Sequence, residues 1–222
     1  MKTTFLTFAI IPIFFAFSSA QNEENFYEPQ TLFPGGTRVT GWFIDFTNSY
    51  SEINGKNSYL PGFAGGMVMN HNFRLGLAGK SLNCYETYLR YDNLFDEPVY
   101  LEGGYGGLYL EFSPIEDKVI HLTFPVIIGG GGASYLTKEK YPENDFDDDD
   151  WNWDWDFKRK ELSTSPFFVI EPGVNVEVNI TRFMKLHSGF SYRWTAGLDL
   201  QHTSGNAFNG SNLNLGLKFG KF

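Results

Sequence analysis

Along most of this chain apolar and polar residues alternate one by one, the two-residue period of strands with one apolar and one polar face. The clearest run is FFVIEPGVNVEVNI, where Phe168, Ile170, Pro172, Val174, Val176, Val178 and Ile180 share one side. Glu171, Gly173, Asn175, Glu177 and Asn179 share the other. The next strand sets Met184, Leu186, Phe190, Tyr192 and Trp194 against Lys185, His187, Gly189, Ser191 and Arg193. The last, SNLNLGLKFGKF, sets Leu213, Leu215, Leu217 and Phe219 against Asn212, Asn214, Gly216 and Lys218. Weaker versions occur at Trp42, Ile44 and Phe46, from Phe63 to Met69, at Phe73, Leu75 and Leu77, from about Tyr100 to Phe112, and from Ile120 to Ile128. Glycines in the fourth and fifth strands predict bends or bulges there. Beyond the N-terminal segment no stretch carries the 3.6-residue apolar period of a helix.

The connections suggest how these strands are arranged. Asn70–Asn72, Ser113–Lys118 and Asn179–Arg182 are short, whereas about 49–58, 83–99, 137–165 and 195–209 are long. Strict alternation of short and long connections puts all tight turns at one end of an antiparallel array. The fold class expected is all-β, a single eight-stranded antiparallel up-and-down transmembrane β-barrel. Hydrocarbon demands closure, because an open edge would leave backbone groups without partners. Eight strands leave a lumen that side chains fill, not a wide pore.

The same parity turns Asp45, Arg74, Lys80, Glu111, Glu171, Glu177, Lys185, Arg193 and Lys218 inward. Both signs are present, so they can neutralise one another. Faces match across the 179–182 turn only when paired residue numbers sum to an even value. A sum of 362 sets Glu177 opposite Lys185, the expected lumen ion pair.

Residues 1–20, MKTTFLTFAIIPIFFAFSSA, have one Lys, an apolar run from Phe5 to Phe17 and a small-residue exit, the layout of a secretory signal peptide. The run is too short for a spanning helix. Removing Lys2 leaves 16 basic against 26 acidic residues, a net charge of −10 that excludes a nucleic-acid partner. The single Cys84 can form no internal disulfide. Residues 21–36 are a leader whose Pro and Gly content argues against a folded plug, and 37–222 form the barrel.

The signal peptide, the eight amphipathic strands and the terminal LGLKFGKF resemble small outer-membrane β-barrel proteins. SEINGKNSYLPGFAGGMVMNHNFRLGLAG and FFVIEPGVNVEVNITRF are similar to segments of uncharacterised outer-membrane barrels from Bacteroidota. The resemblance implies a place in the bacterial outer membrane, contact with its lipid, and insertion by the barrel-assembly machinery reading the C-terminal strand. It implies no catalytic residues and no cofactor. The short turns then face the periplasm and the long loops the exterior. One residue departs from the pattern: Phe222 has even parity, although the apolar face of its strand is odd. Either a bulge near Gly220 restores the alternation or Phe219 takes the girdle position.

Candidate chemistry is sparse. His202, beside Thr203 and Ser204 and near Asp199, is the histidine placed to attack a lipid headgroup, which keeps a lipid-modifying barrel enzyme as an alternative. A soluble lipocalin-like barrel with its apolar face inward is another, disfavoured by the inward Glu177, Lys185 and Lys218. Gly129–Gly132 lacks the Gly-Lys-Ser/Thr of a phosphate loop and reads as a strand thinning and bending at the rim. The longest loop holds DFDDDDWNWDWDFKRKE, with seven aspartates between Asp145 and Asp156. It lacks the ligand order of a calcium loop, so no metal is assigned to it. Trp151, Trp153 and Trp155 recur at every second position with Asp154 on the opposite edge, so a strand extension there would carry one aromatic and one acidic face. Residues 143–161 are therefore a candidate contact for a surface protein or glycan, or part of the aromatic belt.

Overall fold

The computed structural model describes residues 36, 38–53, 56–83, 99–138, 159–200 and 203–222. The signal peptide, residues 21–35 of the leader, Cys84, Trp151, Trp153, Asp154, Trp155 and His202 lie outside them. Eight strands follow in chain order: β1 Val39–Ile53, β2 Lys56–Met69, β3 Phe73–Asn83, β4 Val99–Phe112, β5 Ile120–Lys138, β6 Arg159–Asn179, β7 Met184–Ala196 and β8 Gly210–Lys221. Each pairs antiparallel with its sequence neighbours, and β1 pairs with β8 from Trp42↔Lys221 to Ser51↔Asn212, which closes the barrel. Closure leaves no edge, so every strand finds ladder partners on both sides.

The predicted faces are the observed ones. Phe46, Phe63, Leu77, Trp194 and Leu215 stand on the outside, each more than half exposed, while all nine charged residues assigned inward are enclosed. An apolar exterior around a charged interior is the reverse of a soluble ligand-binding barrel. The lipocalin-like alternative, which needs the apolar face inside, does not describe this chain.

Two expectations about connections and one about strands need correction. Residues 49–53 and 56–58 are strand, so the long loop expected at 49–58 shrinks to residues 54–55 between β1 and β2. Alternation continues through this polar stretch, with Ser49, Ser51 and Ile53 buried and Tyr50 exposed against Tyr59 at 5.5 Å between ring centroids. The Asn54-Gly55 dipeptide is a short-hairpin signal that the polar composition masks. Likewise β5 and β6 run on to residues 138 and 159, so their connection is 139–158, shorter than the 137–165 expected. The glycine-rich strands are not bulged at their glycines: β4 and β5 pair without a shift from Val99↔Thr137 to Phe112↔Phe124.

Gly129–Gly132 lies mid-strand and not at the rim. A Cβ on Gly131 would stand 2.2 Å from the Gly104 carbonyl oxygen and 2.7 Å from Phe167 Cζ and Tyr105 Cβ, so the missing side chain lets the β4 backbone, the Phe167 ring and the Tyr105 side chain close in. Phe222 also has a simple account. No shift occurs on the β1–β8 ladder, so there is no bulge at Gly220. Phe219 continues the outer face, and Phe222 turns under the lumen, where it packs against the Phe43, Val68 and Tyr109 cluster.

The β6–β7 register differs from the expected one by one pair. Glu177 lies opposite His187, and Lys185 opposite Asn179, a sum of 364. Both sums keep the apolar face outside, so hydrophobic pattern does not choose between them. The turn chooses: Ile180 and Thr181 donate their amides to the Met184 carbonyl at 3.1 and 3.0 Å, leaving residues 180–183 outside the ladder.

Candidate functional site

The chemistry of this barrel is concentrated in its lumen, which has three levels. At the end of the short turns, Arg74 on β3 bonds Glu111 on β4, and Lys218 on β8 lies 2.8 Å from Glu111 and 2.7 Å from Glu177. Lys185 on β7 reaches Glu177 at 3.2 Å, a diagonal contact because the two are not direct cross-strand partners. Glu116, from the β4–β5 turn, joins both Lys185 and Arg74, the latter at 2.5 Å. Charges buried this deeply are tolerable only in such company, since each desolvated ion needs opposite charge and hydrogen bonds around it. Below this level Phe222 lies 3.9 Å from Lys185 Nζ and 5.4 Å from the Arg74 guanidinium, an aromatic face against two cations.

The middle level centres on Glu171. It accepts hydrogen bonds from Lys80 at 2.7 Å, Ser191 at 2.6 Å, Asn212 at 3.0 Å and the Tyr105 hydroxyl. Nearby His187 Nε2 lies 2.8 Å from Asp45 Oδ1. The space left among Asp45, Lys80, Glu171 and His187 is about 40 Å³, room for one or two water molecules and no larger solute.

The third level is apolar and closes the far mouth. The β7–β8 connection carries Leu198, Leu200, Ala207 and Phe208 into a cluster with Ile53, Leu60, Leu82, Leu101, Phe167 and Val169. Phe208 stacks on Phe167 with centroids 5.5 Å apart. Polar clasps hold it there: Arg193 Nε donates to the Phe208 carbonyl at 2.6 Å, the Thr195 amide to Asn209 Oδ1 at 2.7 Å, and the Asp199 amide to Ser165 Oγ at 2.7 Å. Among the described residues Arg193 has no carboxylate partner; its other bonds there go to Asn212 and Ser51. Its role is to hold the connection down.

Of the residues singled out in sequence, Glu177 and Lys185 stand together in the first level. The aromatic and acidic positions of 143–161 and the lipid-attack candidate His202 lie outside the described residues. Pattern reasoning did not anticipate three contributors. Glu116 sits in a turn, where no periodicity assigns a direction. His121 reads as one more inward position at a strand start. Phe208 belongs to a connection taken as an outward loop, although Leu198, Leu200 and Phe208 are unusual company for a solvated one.

No protein-family model and no curated protein sequence matches the chain. Among solved structures it is similar to Neisserial surface protein A, at 12% identity and a TM-score of 0.52, covering 84% of this chain and 99% of that one. The N-terminal β-barrel domain of Pseudomonas aeruginosa OprF aligns at 12% identity and a TM-score of 0.45, over 82% and 98% of the two chains. A major outer membrane protein from Thermus thermophilus aligns at 10% identity and a TM-score of 0.47, over 81% and 99%. The first of these establishes a shared fold, an eight-stranded antiparallel barrel.

Proposed function

We propose that this chain is an integral protein of the bacterial outer membrane, with a structural or surface-binding role and no catalytic step. One observation carries the reading: an apolar outer face encircles a lumen lined with charges of both signs, and an apolar connection closes its mouth. The exterior suits lipid. Among the described residues the mid-lumen space holds no more than a water or two, so a role at the surface falls to the connections at the far end.

Among these, residues 139–158 have the composition of a recognition surface. Trp151, Trp153 and Trp155 supply large contact area at low entropic cost, and Asp154 with its acidic neighbours favours a cationic or polyhydroxylated partner. Insertion through the C-terminal strand by the barrel-assembly machinery and periplasmic placement of the short turns are parts of the same reading.

The test is made in a Gram-negative host with the full chain. Retention in outer membranes after carbonate wash is the expected result, and release would sink the assignment. Purified protein in planar bilayers is expected to show no steady conductance. Partners recovered from intact cells are then compared between the full chain and one lacking residues 143–161. Identical partners would remove the recognition role of that loop while leaving the membrane assignment standing.

A further inference from the structure

At the short-turn end of the lumen, His121 on β5 stands between two carboxylates. Its Nε2 lies 3.5 Å from Glu116 Oε2 and 3.4 Å from Glu177 Oε1. Its Nδ1 is 2.9 Å from the Lys118 carbonyl, which can only accept, so Nδ1 carries the hydrogen. In the neutral ring the Nε2 lone pair then points at two anionic oxygens. His121 Nε2 and Glu116 Oε2 are both buried without a hydrogen-bond partner, and the His121 side chain is fully enclosed. Something positive belongs at this point.

A proton on Nε2 is one way to supply it, but a charge-assisted N–H···O bond closes to about 2.7–2.9 Å. The observed separations are longer and nearly equal. Ligands about 2.0–2.1 Å from one metal ion in tetrahedral array stand about 3.3–3.4 Å apart, close to the two separations from His121 Nε2. The three ligand atoms all lie within 4.8 Å of one another. A ring N–H given to a backbone carbonyl is also the usual support of a metal-ligating histidine, fixing the tautomer that leaves Nε2 free.

We propose that Glu116, His121 and Glu177 form a binding site for a borderline divalent cation of the zinc class. One nitrogen and two carboxylate oxygens suit that class and are too few, and too nitrogenous, for calcium. Glu116 also lines an open cavity of about 750 Å³ with His71, Asp117, Arg182 and Phe222, which gives an entry path and room for a fourth ligand such as water. Bound there, the ion clasps the β4–β5 turn to β5 and β6.

Charge decides what must yield. Arg74, Lys185 and Lys218 already balance Glu111, Glu116 and Glu177 at this level. Arg74 and Lys185 both compete: each contacts Glu116, and they lie 3.4 and 3.2 Å from the same Glu177 oxygen that faces His121; Lys185 is the one beside the open cavity. Its neighbour Phe222 borders the open cavity, so the amine has space to swing aside.

The probe is zinc chloride titrated into the full-length protein refolded in detergent, read by calorimetry, with cobalt absorption reporting coordination. One ion per chain with micromolar affinity is expected for the wild type. His121→Gln and Glu116→Gln are each expected to weaken this binding by at least about tenfold, and Lys185→Met to tighten it. Glu116 is a turn residue, so its variant folds even where the His121 change does not. No zinc binding below millimolar concentration overturns the proposal. So does binding of equal strength in the wild type and the Glu116→Gln variant, which would place the ion elsewhere, for instance on the aspartate-rich loop.

Discussion

Lys218 shows what a single buried charge is worth in this lumen. It is fully enclosed and bonds Glu111 and Glu177, so replacing it with Met leaves two carboxylates short of a counter-ion. Lys218→Met is expected to cost about 3–5 kcal/mol, measured as the shift in urea unfolding of protein folded into lipid vesicles. Adding Glu111→Gln is expected to recover part of that loss, since the pair is coupled through direct contact. His71 makes the opposite case. Together with Asn70 it occupies a left-handed turn, φ 65° and 49°, and β-carbon sterics penalise that conformation. His71→Gly is expected to gain stability or leave it unchanged, and His71→Val to lose about 1–2 kcal/mol, in the same unfolding assay. At this scale the sequence told which residues face inward, because alternation decides it. It named Glu177 and Lys185 as a pair, which do meet, but as direct cross-strand partners, which they are not: parity defines register only in steps of two, and the four-residue turn at 180–183 makes the final choice. Asn70 was legible only as a turn residue, yet its side chain also accepts the Arg38 amide at 2.9 Å and so anchors the entry to β1.

At the scale of elements, strands were readable and their ends were not. Alternation marks a strand wherever its two sides differ in polarity, so β6, β7 and β8 stood out along the lengths whose outer face is apolar. Towards the far ends of β1 and β2 outer residues such as Asn48, Glu52 and Asn57 turn polar, and the contrast that signals a strand fades. The β7–β8 connection was misread for a related reason. It has no period, and nothing local distinguishes a segment tucked into the mouth from one reaching outward. Its apolar residues are the clue, and they predict a consequence. Phe208 is wholly enclosed and stacked on Phe167, so Phe208→Ala is expected to cost about 3–5 kcal/mol. Urea unfolding in vesicles measures the loss. An unchanged midpoint would show that the closed mouth contributes nothing to the fold.

Apart from the apolar clusters at its two ends, the described barrel is a core turned outside in: polar side chains meet one another in the lumen, and a belt of apolar side chains faces outward. For a soluble barrel, an exposed leucine replaced by arginine changes stability by about 0.5 kcal/mol or less. For a barrel in lipid, the same change costs about 2–4 kcal/mol at the bilayer midplane and falls to about 0–1 near the interface. Leu77 is the probe for the middle. It is 67% exposed on β3 and sits between Gly65 of β2 and Leu108 of β4, with no polar group beside it in the ladder. Ile120, 64% exposed at the first position of β5, is its partner for the rim. The two are about equally open, so burial within the protein does not distinguish them, and only depth in a membrane does. Unfolding of Leu77→Arg from vesicles is therefore expected to shift by about 2–4 kcal/mol, with Ile120→Arg shifting by about 1 kcal/mol or less. Equal, small shifts at both positions would show that the outer face does not lie in lipid.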